Sequence, residues 1–251
     1  MERWLAQYLD QSPRGDRWAS GLSTALDLPM EPGGRVTPLG YILDHLDRGD
    51  EELLDVLHNA ILVINDGTVA FRPPPPHEEV ERHLAYARSI WSATAGGLVS
   101  RAEPTAMSAF REASGPDDLS SEHLKHAWAK AYERNGDPSD AWDHAVKAVE
   151  HILLPVIPRQ DQAQIAHVVG QLGGQGDQYE VGLQFNQSAP PRTPPFSPVE
   201  AFAGMLRLIY PNPDRHVGAN HRVPSAEEAR VVVQLAIAVV QWAREGLIHK
   251  R

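Results

Sequence analysis

Two arginines and two histidines crowd into eight residues of the segment NPDRHVGANHRVPSAEEAR, residues 212–230: Arg215, His216, His221 and Arg222. An arginine presents a planar, permanently charged fork that fits phosphate or carboxylate oxygens. A histidine, with an ordinary pKa near ~6.5, gives or takes a proton at neutral pH. Together they are the parts of a metal-free phosphodiester cleavage. His221 would move a proton, Arg215 would stabilise charge on the pentacoordinate phosphorus, and the 2′-hydroxyl of RNA would be the attacking group. The same residues also fit a solvated polar loop, with Arg215 capping the end of the preceding helix near Tyr210.

The flanking sequence must hold this loop in place. Pro211, Pro213 and Gly218 keep it out of a helix, and Ser225-Ala226-Glu227-Glu228 is a capping box that starts one. The helix that follows is apolar almost all round (Val231, Val232, Leu235, Ile237, Val239, Trp242), which predicts a central, buried position. A second capping box, Ser197 to Glu200, starts a helix with Phe202, Met205, Leu206 and Ile209 on its apolar face. Upstream, Asp137 as N-cap and Pro138 at the first helical position open a helix carrying Ala141, Ala145, Val149 and Ile152, ended by Pro155. Ser120 is the expected N-cap of the helix before it, with Leu119 and Leu124 at staple spacing and Leu124, Ala127, Trp128 and Ala131 on one face. A further helix is expected over 161–172 with Gly173 as its cap. The stretch 173–196 is too long for a neutral connector, and YEVGLQF within it can pair as a short strand.

The first part of the chain also reads as helical. Two helices are expected at 38–47 and 50–64. A proline stop, RPPPPHEE, precedes a helix reaching about Thr94, and residues 98–119 are mixed. The fold expected is therefore all-α, with a helical region at 1–117 and a helical bundle at 118–251.

Composition narrows the chemistry. The 251 residues carry 33 acidic and 23 basic side chains, a formal net charge of −10. That opposes broad coating of nucleic acid, though not a small local basic site. The chain has no cysteine, so disulfides, thiolate metal sites and cysteine nucleophiles are all excluded, which fits a reducing cytoplasm. The longest apolar stretch, 231–243, is too short to span a bilayer. Twelve histidines raise the question of a metal. His123 and His126 on one helix, and His144 and His151 on another, each make an incomplete ligand set, so no metal and no cofactor is expected. Trp128, Trp142 and Trp242 lie on apolar faces and read as core rather than as a platform for bases.

Arg215, five intervening residues and His221, between two helices of an all-α bundle, resemble the Arg-x4–6-His motif of HEPN domains. Residues 122–157, EHLKHAWAKAYERNGDPSDAWDHAVKAVEHILLPVI, together with the segment from Arg215 to Ala243, resemble the abortive-infection C-terminal domain, a HEPN-like module of bacterial phage-defence proteins. The resemblance covers about residues 118–251. It implies Arg215 and His221 as catalytic residues, with His216 and Arg222 in support. It also implies a polar pair on the second helix, Lys147 and Glu150, facing the motif. Two functions follow. One is a metal-independent endoribonuclease acting on RNA as a homodimer, with 1–117 as a sensor or regulator and a regulatory partner protein. The other is a non-catalytic HEPN-like module for dimerisation, partner-protein or nucleotide binding. A positive patch at the loop would favour the first; pairing of Arg215 and His221 with carboxylates would favour the second.

Overall fold

The structure is a computed structural model. It describes residues 15–28, 38–46, 48–65, 76–87, 89–157, 164–183, 197–215 and 221–251. The chain is mostly α-helical, with four short strands among the described residues. It forms two compact units, 1–101 and 102–251.

In the first unit, α1 (Gly15–Ala25), α2 (Pro38–Leu46) and α3 (Asp50–Asn65) pack mutually, and α4 (Pro76–Tyr86) follows. The two helices expected at 38–47 and 50–64 are α2 and α3. The helix expected to reach Thr94 stops at Tyr86. Trp91–Thr94 is instead a strand, β1, paired antiparallel with β2 (Gly97–Ser100) through a tight turn. Gly97 carries φ 101°, a value glycine adopts without strain. Tertiary bonds favour the hairpin over continued helix. Glu81 of α4 accepts from the Ala93 N–H at 2.7 Å and the Ser92 hydroxyl at 2.9 Å, and pairs with Arg101 at 2.9 Å. The buried His58 of α3 accepts from the Leu98 N–H at 2.9 Å.

The second unit begins at Ala102 rather than at 118, because α5 (Pro104–Ala113), within the stretch read as mixed, packs on the last helix. Then come α6 (Leu119–Tyr132), α7 (Pro138–Leu153), α8 (Ile165–Gly174), β3 (Tyr179–Val181), α9 (Pro198–Ile209), α10 (Ala226–Arg244) and β4 (Ile248–Lys250). α6 and α7 form the most extensive helix pair, and α10 lies against both, as well as against α5 and α9. This is the central position that its apolar sequence predicts, although Val231 itself is exposed. The strand suggested by YEVGLQF exists as β3 and pairs with β4.

Caps at Asp137, Ser197 and Ser225 form as expected, the last two as capping boxes. The cap of α6 does not. Asp118, not Ser120, accepts from the Ser121 N–H, at 2.7 Å. Ser120 turns inward to donate to Ala148 O, and Leu119 is left exposed. α8 ends two residues later than expected, with Gly173 inside the helix and Gln175 as its C-cap; the expected start over 161–163 lies outside the described residues. Trp128 stacks between Phe110 and Tyr132, and Trp128 and Trp142 are both buried in the core.

Candidate functional site

The Arg/His loop leaves α9 after Ile209. Trp142 of α7 donates its indole N–H to Ile209 O, which pins that helix end. The Tyr210–Pro211 bond is cis. Next comes Asn212, whose side chain is the organising group of the loop. It is only 3% exposed. Its amide donates to Ser139 O at 3.0 Å and to Asp143 Oδ1 at 2.8 Å, both on α7. Its oxygen accepts from the Asp214 N–H at 3.0 Å, the local turn that an Asn-Pro-Asp sequence favours.

Every described basic side chain of the loop meets a carboxylate. Arg215 is bonded to the buried Asp143, which already holds Asn212. His221 Nε2 lies 3.1 Å from Asp214 Oδ1. Arg222 makes a bidentate pair with Glu228 at 2.6 and 2.7 Å, and its backbone N–H reaches Pro213 O at 3.4 Å, closing the loop. Glu228 is shared, since it also accepts from the Ser225 N–H in the capping box. The Arg222 fork, and then the Ser225 N–H, hold the Glu228 carboxyl below its usual range. Asp143, Asp214 and Glu228 thus face Arg215, Arg222 and His221, and these groups form no positive patch.

The other implied site residues lie elsewhere. Glu150 accepts from the Ile165 N–H at 2.8 Å, so it fixes the start of α8 instead of facing the loop. Lys147 is exposed beside His123 and His144. His216 lies outside the described residues. The residue on α7 that does face the loop is Asp143, supported by Ser139 one turn earlier. Neither has a sequence signal beyond the Asn-Pro-Asp turn that places their partner.

The two incomplete histidine pairs meet. His123 and His144 approach with their Nδ1 atoms 2.9 Å apart, His151 stacks on His123, and His126 stacks on His144. Among the described residues no group of three or more histidine, cysteine or acidic side chains has an arrangement that could hold a metal ion. No described helix is long and apolar enough to cross a membrane.

These features define a mostly helical protein whose second unit carries a carboxylate-braced Arg/His loop between α9 and the central helix. No family model, no curated protein and no solved structure matches the chain.

Proposed function

We propose that this chain is a phage-defence protein whose second unit is a HEPN-like helical module that works by binding rather than by cutting RNA. The observation that carries this reading is the pairing of Arg215 with the buried Asp143. A carboxylate beside the guanidinium offsets its field, which weakens the stabilisation it can give to charge on a pentacoordinate phosphorus. Glu228 offsets the charge of Arg222, and Asp214 sits against His221, so the described groups offer a polyanion little net positive charge. The work of such a module is self-association, docking of a regulatory protein or nucleotide binding.

One observation favours the other reading, a metal-independent endoribonuclease. His221 and Asp214 lie 3.1 Å apart, and a carboxylate on one imidazole nitrogen is how a proton-transferring histidine is oriented. The side chains of Arg215 and His221 are 63% and 46% exposed, within reach of a substrate.

A single assay separates the two: incubation of RNA with the full chain in EDTA, beside His221→Ala and Arg215→Ala. The binding reading expects no cleavage by folded protein and a dimer in analytical ultracentrifugation. Cleavage leaving 2′,3′-cyclic phosphate and 5′-hydroxyl ends, lost in both variants, would replace it with the ribonuclease.

A further inference from the structure

The histidine seam between α6 and α7 has a geometry that depends on its protonation. Two Nδ1 atoms 2.9 Å apart require one hydrogen between them, so one ring donates and the other accepts. His144 Nε2 lies 3.6 Å from Asp140 Oδ1, so the carboxylate favours the hydrogen on that nitrogen and leaves Nδ1 as the acceptor. His123 Nδ1–H is then the donor. A first added proton is compatible with this bond, since a cationic ring still donates to a neutral one. A second proton puts N–H against N–H and two positive rings 5.1 Å apart between centroids. The bond is lost and like charges face each other.

The surroundings sharpen the effect. His126 on α6 and Lys147 and His151 on α7 act on His123; Lys130, His126 and Lys147 act on His144, opposed by Asp140. The charged groups that the neighbouring helices bring to α6 are already engaged. Arg230 of α10 donates to Ala131 O and lies over the Tyr132 ring, and Arg244 binds Asp118 and Ser121. Glu112 of α5 accepts from Gln241 of α10. Burial, followed by His144, His151, Lys147 and His126, pushes the His123 imidazole down to about 4. Burial also lowers His144, with Asp140 opposing.

We propose that this seam is a proton-operated latch: with one hydrogen shared between the two Nδ1 atoms it clamps α6 to α7, and it opens when both rings are cationic, so that acidification loosens the second unit. This inference is independent of whether the Arg/His loop binds or cuts. A folded-state value below the unfolded ~6.5 means that the unfolded chain takes up the proton more readily. The stabilisation is therefore complete above about pH 6.5 and is lost as pH falls from there toward 4.

The test is thermal unfolding of the full chain from pH 7.5 to 4.5, for the wild type, His123→Gln and the exposed control His249→Gln. The transition of the second unit should fall with pH in the wild type and the control. In His123→Gln the fall should be smaller by roughly 5 °C. NMR titration of the wild-type imidazole resonances gives a second readout that needs no variant: one seam ring should titrate well below ~6.5. Equal pH dependence in His123→Gln and wild type, or seam rings that all titrate near ~6.5, would overturn the latch.

Discussion

Replacing Asp143 by alanine tests whether the Arg/His loop is braced from α7. The carboxylate makes two contacts of unequal worth. The bond from Asn212 Nδ2, at 2.8 Å, is charge-assisted and buried, a type that contributes about 1.5–3 kcal/mol. The pair with Arg215 involves a side chain 63% exposed, so its share is about 0–1 kcal/mol. Asn212 keeps its bond to Ser139 O, which limits the loss. The sum is about 2–3 kcal/mol, or roughly 5–10 °C in the melting temperature of a unit of this size. Arg215→Ala should cost less, about 1 kcal/mol, because water can take the place of an exposed guanidinium on Asp143. Asn212→Ala should resemble Asp143→Ala, since it removes the same buried bond. Differential scanning calorimetry of the three variants reads the order directly. If Arg215→Ala destabilises as much as Asp143→Ala, the ion pair rather than the asparagine holds the loop, and the reasoning fails.

Gly97→Ala should disrupt the hairpin of the first unit. The position has φ 101°, and an added Cβ would lie 2.6 Å from the ring of the buried His58. Backbone strain and the clash together should cost about 3 kcal/mol, whereas Gly96→Ala, with nothing nearer than 3.8 Å, should be near neutral; urea unfolding of both compares them. Asp118→Ala should cost about 1–2 kcal/mol by removing the α6 cap together with the Arg244 pair. Burial pushes the Asp118 carboxyl up, but the Ser121 N–H and hydroxyl and Arg244 outweigh it and hold the group below its usual range. Its contribution is therefore present above about pH 4 and lost on further acidification, so the gap between the variant and wild type should narrow in melts taken at successively lower pH.

Where a signal was local, the chain was legible. The serine–glutamate boxes at Ser197 and Ser225 and the Asp137-Pro138 start each specify a helix end through residues three apart, and each forms. The cap of α6 is Asp118 rather than the expected Ser120, although both residues precede Leu124. What separates them is the distant Ala148 carbonyl, which takes the serine hydroxyl. The β1 segment reads locally as helix because its preference is set by Glu81 and His58, through bonds to Ala93 and Leu98 that no local window contains. The candidate site shows the same division. Proline, glycine and the capping box place the loop, but its charge state depends on Asp143, which lies on a different helix 69 positions before Asn212. For the same reason two histidine pairs, incomplete along each helix, become one seam only when α6 and α7 fold together.

The central place of α10 also sets a timetable for synthesis. α6 and α7 are made early and, being neighbours in sequence, can meet as a hairpin as soon as both exist. The faces they present to α10, which include Ala131 and Tyr132, stay uncovered until residues 226–244 have been translated. β3 likewise waits for β4 before its edge is paired. The second unit therefore closes late, and a nascent chain stalled before α10 leaves the apolar face of a two-helix hairpin open to other chains.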